Sequence, residues 1–573
     1  MKIKLGNTRL FLSIALLIIC MSAKAQLTAV HNVKSPEVAN LNKFGTIPVN
    51  HFTGQPQIHI PLYEVSSGKH IVPISMSYDL SSVKPDNQGG SLGLGWNLMA
   101  GGFITRTVRC APDETKDSRG IGHGYYFHAN KMDGISGREF EEYSTKEYLE
   151  GDNWFELSAD EFSFNFCGYS GNFYYTHDGW KVSSDDDIKV VFNENDGFLK
   201  YRALRMYDSH WTNQSNNDCF FNKFTLITPD GTKYEFGGKN ATEYSISYYY
   251  RNTSRLVATT WRLSKITTID GRTITFGYDT SQLIADIRFV PQYRSLQTAN
   301  GCTALQPYQI GKMEYTGFLV FPVLLKSIET DDEICTFVYK MDVAYGSRFP
   351  KLSLYWKAGQ AFRVDPFRFP DEDPGNQFLI FLPKTSYGST DPYTRIKNSL
   401  CRKFLNTINI DSKHGGKSKY FSFGYTTTSG TKSVRRKVSL VQMSDDNELL
   451  WKYGFKYDSQ TIGSDGEYYV INSSDSWGYY NGTNIKISDT PDFKLKNTLL
   501  QYAKAETLHE IIYPTGGKST LEYEENDYSS MVFANHLSLK MSSGQSGGLR
   551  VKSITNRNTD GKISNKIFYS ILR

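Results

Sequence analysis

The chain has 573 residues, of which 64 are Lys or Arg and 59 are Asp or Glu. This near balance argues against a nucleic-acid-binding protein, which would carry a basic surplus on one face, and against adhesion to anionic lipid by charge alone. Aromatic residues make up 14% of the chain, glycine is frequent and proline is scarce. Such a composition favours strands and tight turns, so we expect an all-β protein.

Residues 1–25 form a predicted secretory signal peptide. Basic residues precede a short apolar run from Leu10 to Met21, which is well below the roughly 20 residues that a membrane-spanning helix needs. Ala23-Lys24-Ala25 is a small-x-small cleavage site. We therefore expect cleavage before Gln26, a protein that is secreted or held at the cell surface, and no membrane span.

Residues 26–109 are predicted to form a small β-rich N-terminal module. Two alternating stretches, Gln57 to Tyr63 and Ile71 to Tyr78, surround a Ser-Ser-Gly turn and indicate a hairpin. A Gly-rich segment that contains Gly93-Leu-Gly95-Trp96 follows, and Phe103 to Val108 alternates as a further strand. We interpret the Gly-Leu-Gly-Trp run as tight backbone packing around the indole of Trp96.

Residues 110–219 are predicted to form a linker excursion and a β segment. From Cys110 to about Leu157 the chain is polar, charged and Gly-containing, which predicts a long surface excursion. Two aromatic, alternating stretches, Asp160 to Phe166 and Asn172 to Tyr175, then predict strands joined by a Gly-containing turn.

Residues 220–573 repeat one phrase: an apolar stretch, a turn rich in Asp and Gly, and an alternating stretch that ends on an aromatic residue. Asp-Gly supplies the positive φ that a tight turn needs, and alternation buries one face of a strand. Because no single hairpin could bury its apolar face alone, the repetition predicts hairpins stacked edge to edge into a curved, spiralling sheet. The seven copies run from Lys223 to Phe236, Trp261 to Asp279, Leu324 to Tyr339, Leu405 to Tyr425, Val438 to Tyr457, Leu508 to Tyr523 and Leu549 to Tyr569.

Three insertions interrupt these copies, at about 280–321, 345–397 and 458–505. Insertions between repeats usually form loops on one face of the stack. The third contains Trp477-Gly-Tyr-Tyr480, whose aromatic rings could stack on sugars.

The N-terminal module and the hairpin phrase resemble bacterial secreted Rhs/YD-repeat proteins. The resemblance rests on Ser35 to Val49, on Phe52 to Leu62 and on Gly93 to Arg106, which matches the family phrase Gly-Leu-Gly-Trp-x-Leu-x-Ala-Gly-Gly-x-Ile-x-Arg. Tyr513-Pro-Thr-Gly-Gly517 and Gly547 to Ile554 are similar to later family phrases. The resemblance implies a β-ribbon that spirals into a hollow shell, which in larger members encloses a C-terminal toxin or effector.

The family's self-cleavage motif is of the Asp-Pro-x-Gly type, and Asp373-Pro374-Gly375 does not match it in its surroundings. This departure argues against autoproteolysis and cargo release by this chain. We expect either a fragment of a longer family member or a short stand-alone surface protein.

Several motifs invite a catalytic or cofactor interpretation that their spacing does not support. Gly516-Gly517-Lys518-Ser519 and Gly416-Lys417-Ser418 lack the upstream Gly of a phosphate loop, and Gly93-Leu-Gly95 lacks the third Gly of a dinucleotide fingerprint. Gly168-Tyr-Ser170-Gly171 lacks the spacing of a nucleophile elbow, so we interpret Ser170 as a turn residue. The six cysteines after the signal peptide are widely spaced, which argues against a zinc site and favours isolated thiols.

Acidic groups and one histidine pair are candidate catalytic or metal-binding residues. Asp160-Glu161 and the other acidic pairs are interpreted as solvated turns, with Asp185-Asp-Asp187 the one group to test for calcium. His123 and His128 are five apart, a spacing that places two side chains on one face of neither a strand nor a helix. We therefore predict no catalytic, cofactor-binding or metal-binding residues and no cofactor.

Taken together, the residues predict a non-enzymatic structural or interaction protein whose partner is protein: a downstream chain, an encapsulated effector or a cell-surface partner. An unpaired strand near Tyr569 is expected to be an exposed sheet edge. Two alternatives stay open, a carbohydrate-binding surface module that uses the Tyr and Trp insertions, and a glycoside hydrolase that uses a carboxylate pair.

Overall fold

A computed structural model describes most of the chain after Thr46. The chain divides into two units, Met1–Thr46 and Ile47–Arg573, and every described residue lies in the second. The predicted signal peptide, most of the phrase Ser35 to Val49 and the insertion at 345–397 lie outside the described residues. The described residues are 47–117, 119–132, 136–138, 156–200, 219–248, 256–291, 293–297, 303–307, 313–341, 401–426, 435–445, 448–463, 473–483, 496–532 and 539–570.

The N-terminal module contains a three-stranded antiparallel sheet. Its strands are β1 (Ile58–Ser67), β2 (His70–Tyr78) and β3 (Trp96–Ala100), with β2 in the centre. The predicted hairpin between the first two alternating stretches is confirmed, and Gly68 takes a φ of 61° in its turn. A short 3-10 helix, Leu80–Ser82, follows β2 and is capped by the side chain of Asp79.

A second antiparallel group follows the module, and in its strand Glu161–Phe166 buried Phe residues alternate with more exposed polar residues. The strands are β4 (Gly102–Thr107), β5 (Glu161–Phe166), β6 (Tyr169–Thr176), β7 (Gly179–Ser184), β8 (Lys189–Val191), β9 (Phe198–Lys200) and β10 (Cys219–Phe221). β4 pairs with β5, β5 with β6, and β6 with β7, while β8 pairs with the first strand of the hairpin region and β9 pairs with β10. Short helices Tyr125–Phe127, Ala129–Met132 and Glu194–Gly197 lie between these strands.

All seven predicted hairpins are present as pairs of antiparallel strands, and the turn residues 446–447 of the fifth lie outside the described residues. They are β11 (Lys223–Ile227) with β12 (Lys233–Gly237), β14 (Leu256–Thr267) with β15 (Thr273–Asp279), β20 (Leu324–Glu329) with β21 (Glu333–Met341), β22 (Lys403–Ser412) with β23 (Lys419–Thr426), β24 (Lys437–Asp445) with β25 (Glu448–Tyr457), β26 (Leu508–Ile512) with β27 (Lys518–Val532), and β28 (Leu539–Arg557) with β29 (Ile563–Phe568).

The hairpins also pair with one another, so the region is a single antiparallel ladder. The second strand of each hairpin pairs with the first strand of the next, through β12–β14, β15–β20, β21–β22, β23–β24, β25–β26 and β27–β28. The predicted edge-to-edge stacking is therefore confirmed. Strand β14 is long enough to join two sheets, since its first half pairs with β4 and its second half with β12 and β15.

Four of the turns have the same five-residue geometry, in which Gly occupies the fourth place. In Thr268–Arg272 the first N–H donates to the fifth carbonyl at 3.0 Å, and the N–H of Gly271 donates back to the first carbonyl at 3.0 Å. The turns at 228–232, 513–517 and 558–562 repeat both bonds, and the four Gly φ values lie between 80° and 86°. A positive φ at this place favours glycine, which explains its recurrence in the phrase.

The first insertion differs from the loop that was expected. Its described residues include β16 (Ile284–Pro291), β17 (Tyr293–Gln297), β18 (Thr303–Pro307) and β19 (Met313–Phe321). Strand β19 pairs on one side with β16 and on the other with β13 (Thr242–Tyr248), which in turn pairs with β14. The segment thus extends the neighbouring sheet by strand pairing, where a loop was expected.

One hydrophobic core runs through the whole described unit, from Ile47 to Ile554. It collects the inward-facing residues of every hairpin together with Trp96 and the Phe residues of β5 and β6. Among the described residues, none of the helices has the length and apolar character needed to cross a membrane.

Candidate functional site

In six of the seven hairpins the aromatic residue at the end of the phrase lies at a β-bulge. The pairing between successive hairpins shifts register immediately before Tyr278, Tyr339, Tyr425, Tyr457 and Tyr523, and before Phe236 in the first hairpin. A bulge bends its strand and increases the local twist. Repetition of the bulge at the same place in successive hairpins therefore bends the sheet in a regular way.

Each of the five tyrosines also closes its own hairpin with a hydrogen bond from its hydroxyl group to a first-strand carbonyl. Within each hairpin the backbone pairing ends two residues short of the residue that carries this carbonyl. The phenol therefore supplies a hydrogen bond to a carbonyl that the pairing between the two strands does not reach. The bonds are Tyr278 to Leu263 at 2.5 Å, Tyr339 to Leu325 at 2.8 Å, Tyr425 to Leu405 at 2.5 Å, Tyr457 to Val438 at 2.5 Å and Tyr523 to Leu508 at 2.7 Å. We call this set the tyrosine ladder.

The N-terminal module binds the sheet at residues that form the hydrogen bonds of the tyrosine ladder. The indole N–H of Trp96 donates to the hydroxyl oxygen of Tyr457 at 2.8 Å, and the ring of Trp96 packs on Phe455 with centroids 4.8 Å apart. Burial raises the pKa of the Tyr457 phenol, so its hydroxyl remains a donor to Val438 at neutral pH while it accepts from Trp96.

The module also forms hydrogen bonds with the carbonyl-bearing residues of two other tyrosine-ladder bonds. The N–H of Leu508 donates to the hydroxyl oxygen of Tyr78 at 2.9 Å, and the N–H of Leu405 donates to the carbonyl of Ser91 at 2.9 Å. In both cases the residue that accepts the ladder hydrogen bond with its carbonyl gives its N–H to the module.

In the last hairpin the equivalent residue is Val551, which lies opposite Tyr523 and also gives its N–H to the module. The amide of Gln55 donates to the carbonyl of Leu549 at 3.0 Å, and the N–H of Val551 donates to the carbonyl of Gly54 at 2.9 Å. At the other end of the module, the hydroxyl group of Tyr63 donates to Glu333 at 2.6 Å. These hydrogen bonds reach the hairpins from the third to the seventh.

The Gly-Leu-Gly-Trp run makes this close approach possible, as the sequence predicted. Gly93 has a φ of 86°, and a Cβ on it would lie 2.3 Å from the carbonyl oxygen of Arg436. The next residue, Leu94, donates its N–H to that same oxygen at 2.8 Å. Gly95 has a φ of 80°, and a Cβ there would lie 2.5 Å from the ring of Tyr78.

A buried ionic cluster, which sequence analysis did not predict, lies where the excursion meets β4 and β5. The guanidinium of Arg106 binds both carboxylate oxygens of Glu114, at 2.6 and 3.1 Å, and its Nε lies 3.7 Å from Asp160. The expectation that the excursion lies on the surface is wrong here, since Asp113 and Glu114 are fully buried. The interpretation of Asp160 as a solvated turn residue is also wrong, because backbone N–H groups 47 to 51 positions away surround its carboxylate.

The other candidate residues are dispersed. Gly516 lies in a hairpin turn and Gly416 between β22 and β23, while Ser170 lies within β6 rather than in the turn that precedes it. Asp185, Asp186 and Asp187 are exposed. In the described part of the chain, no group of three His, Cys, Asp or Glu side chains is placed to hold a metal ion.

The two histidines of the excursion have separate surroundings. The ring of His123 is buried and its Nε2 lies 3.5 Å from Asp117, whereas Nε2 of His128 lies 2.8 Å from the carbonyl of Gly122. Burial lowers the pKa of His128. The described thiols include Cys167, Cys335 and Cys401, and burial raises the pKa of the Cys167 thiol to about 12.

Neither the aromatic turn 477–480 nor the cavity beside β1 and β2 has the geometry of a sugar-binding or glycosidase site. Trp477 is 46% exposed, but Tyr480 packs against the core and Lys84 covers the ring of Tyr479 at 4.3 Å. A cavity of about 260 Å³ lies beside β1 and β2, and its one acidic lining residue, Asp79, uses its carboxylate to cap Ser81.

The known proteins to which this chain is similar are solved structures. No family model matches the sequence, and no curated protein matches it. The N-terminal domain of effector protein SpvB from Salmonella typhimurium strain LT2 is 11% identical, with a TM-score of 0.26, covering 68% of this chain and 98% of that domain.

Two similar structures contain Tc toxin proteins. The Photorhabdus luminescens Tc holotoxin pore with a TccC3 mutation is 11% identical, with a TM-score of 0.27, covering 71% of this chain and 16% of that one. The TcdB2-TccC3-TEV structure is 11% identical, with a TM-score of 0.28 and coverages of 73% and 16%. This chain therefore spans about a sixth of the length of those toxin chains.

Proposed function

We propose that the chain is a secreted, non-enzymatic structural protein that forms a section of wall in a shell of the Rhs/YD-repeat type. The observation that carries this proposal is the unbroken ladder of seven hairpins, in which six consecutive joints have the same register-shifted geometry. The repeated residues form the strand pairing between hairpins and the bulges in that pairing, and such a fold is suited to extending and bending a sheet.

The N-terminal module supports the same function. It satisfies backbone groups at the rungs of the tyrosine ladder and covers the inward apolar side chains of the sheet, notably through Trp96 and Tyr78. A module fastened in this way holds successive hairpins at one spacing. It acts as an internal template for the wall.

The last strand provides the surface for another polypeptide. All six residues of β29 are exposed, and in the described part of the chain β29 pairs with β28 alone. Ile567 lies opposite the buried Ile554, so it continues the core face without a cover. Every other hairpin joint pairs such a second strand with a further strand, so the partner of β29 is another β-strand.

One backbone N–H of β29 can be removed to weaken pairing of another strand with this edge. Tyr569 donates its N–H to Lys552 of β28, and in an antiparallel pair alternate residues point opposite ways, so the N–H of Phe568 points away from β28. Phe568→Pro removes that outward donor, whereas Phe568→Ser removes the aromatic ring and keeps the donor.

The test is sedimentation of the chain that begins at Gln26, over a range of micromolar concentrations. We expect reversible strand-to-strand association of the wild type, weakened at least tenfold by Phe568→Pro and less by Phe568→Ser. A wild type that stays monomeric throughout, or two variants that associate equally well, would overturn the assignment of β29 as the docking edge.

A further inference from the structure

The buried ionic cluster contains more acid than base. Asp113, Glu114 and Asp160 are fully buried, and Arg106 is the cation that the side chains of Glu114 and Asp160 contact. The guanidinium is enclosed by aromatic rings, with the ring centroids of Phe162 and Trp261 at 5.7 and 5.4 Å. With all three carboxyl groups ionised, the cluster would carry two uncompensated negative charges in an apolar surrounding, which is a costly arrangement.

The hydrogen bonds show which carboxyl group is least compensated. Glu114 accepts both Arg106 bonds and the N–H of Phe221 at 3.3 Å. Asp160 accepts the N–H groups of Arg109 and Asp113, at 3.0 and 3.1 Å.

Asp113 differs from both. Its Oδ1 accepts the N–H of Asp160 at 3.0 Å, and its Oδ2 is buried without a hydrogen-bond partner. An ionised oxygen in that position would be an unpaired buried charge, whereas a protonated one would not.

The surrounding titratable groups do not supply the missing positive charge. Tyr125 approaches Asp113 from the helix Tyr125–Phe127, and burial raises the pKa of its phenol, so it is neutral. Glu156 is buried and accepts the N–H groups of Ala111 and Ser158, which adds further negative charge. His123 faces Asp117.

The basic side chain after β4 and the thiol on β10 are also directed elsewhere. The side chain of Arg109 is engaged with Glu161 at the surface. The thiol of Cys219 contacts the backbone carbonyl of Glu114 rather than a carboxylate.

We propose that Asp113 carries a proton in the folded protein and that this proton fastens the excursion to β4, β5 and β10, so that the segment loosens as the pH rises. Burial, reinforced by the neighbouring Asp160, raises the pKa of Asp113 well above its usual value, and burial raises the pKa of Asp160 to about 6. Loss of the proton leaves a second negative charge beside Asp160.

Proton linkage determines whether stability rises or falls with pH. The folded cluster holds a proton at pH values where the unfolded segment, with ordinary aspartates, has released it. Stability of the fastened state is therefore complete below the ordinary Asp pKa of about 4. It declines as the pH rises above that value, and the decline ends once Asp113 is ionised in the folded protein. One proton released on opening corresponds to a tenfold change in the opening equilibrium per pH unit.

Hydrogen–deuterium exchange of the whole protein tests the proposal, with the peptide that covers residues 107–117 as the readout. We expect its protection factor, corrected for intrinsic exchange, to fall between pH 5 and 8 by up to tenfold per pH unit. Asp113→Asn, which is neutral and of the same shape, should abolish the decline above pH 6 and leave only the change between about pH 4 and 6 that Asp160 contributes. Glu161→Gln removes a carboxylate next to Asp160 that is 39% exposed, and it should leave the wild-type slope unchanged.

A wild-type protection factor that is constant from pH 5 to 8 overturns the proposal, and this measurement needs no variant. An Asp113→Asn protein that folds and retains the wild-type slope overturns it as well, because the proton would then reside elsewhere.

Discussion

The double role of the Tyr457 hydroxyl predicts an unusually large effect for the loss of one oxygen atom. Tyr457→Phe removes the hydrogen bond to the carbonyl of Val438 and leaves the indole N–H of Trp96 without its acceptor. Trp96 is 1% exposed, so water cannot replace that acceptor without rearrangement of the module.

The magnitude follows from these two losses. A hydrogen bond contributes about 1 kcal/mol net, and an orphaned buried donor costs about 1–3 kcal/mol. We therefore expect Tyr457→Phe to lower the free energy of unfolding by about 2–4 kcal/mol. The ring still packs against the core, so no cavity adds to this value.

Urea unfolding followed by tryptophan fluorescence measures the difference as a shift in midpoint at constant slope. Tyr453→Phe is the matched control, since Tyr453 lies on the same strand four residues earlier and pairs with Val441 in the sheet, away from the bulge. We expect that control to change the free energy by less than about 0.5 kcal/mol.

Equal midpoints for Tyr457→Phe and Tyr453→Phe would refute the idea that ladder hydroxyls join the module to the sheet. The Trp96→Phe and Tyr457→Phe double variant provides a second check. Because both single changes break the same hydrogen bond, their effects should sum to more than the effect of the double variant.

Two further results are expected. Gly93→Ala should destabilise the protein by more than Gly271→Ala in the same unfolding assay: both have a left-handed φ, which costs other residues about 1–2 kcal/mol, but only Gly93 has a carbonyl oxygen within 2.3 Å of the added Cβ. A smaller effect at Gly93 would show that the module is not held by the Leu94 contact. At pH 8 the thiol of Cys167, whose pKa burial raises to about 12, should react with a disulfide reagent at least a hundredfold more slowly in the folded than in the unfolded protein, as mapped by mass spectrometry. Comparable rates would place that thiol outside the core.

The hairpins could be predicted because everything that defines them lies within about twenty residues. Alternation in Thr273 to Asp279 and the Asp270-Gly271 turn specify two strands and the link between them. The positive φ of Gly271 and the period of two are local properties of the backbone, so one sequence is enough to find them.

The tyrosine ladder was visible only as a recurring aromatic residue. That Tyr425 ends a phrase can be read directly, but its bulge arises from pairing with the following hairpin, and its hydroxyl finds a carbonyl 20 positions earlier. Likewise Trp96 was predicted to pack tightly, whereas its partner Tyr457 is 361 positions away.

The acidic cluster is where the local interpretation failed. Asp is a common turn residue, so Asp160 was assigned to solvent, and the guanidinium and backbone N–H groups that keep it buried come from β4 and from the excursion. Local preference describes what a short segment does in water, and it accounts for the strands, the turns and the all-β class of this chain. Burial of the Asp160 charge depends instead on groups about fifty positions away, and docking of the module depends on partners hundreds of positions away, and these contacts exist only once the chain has folded.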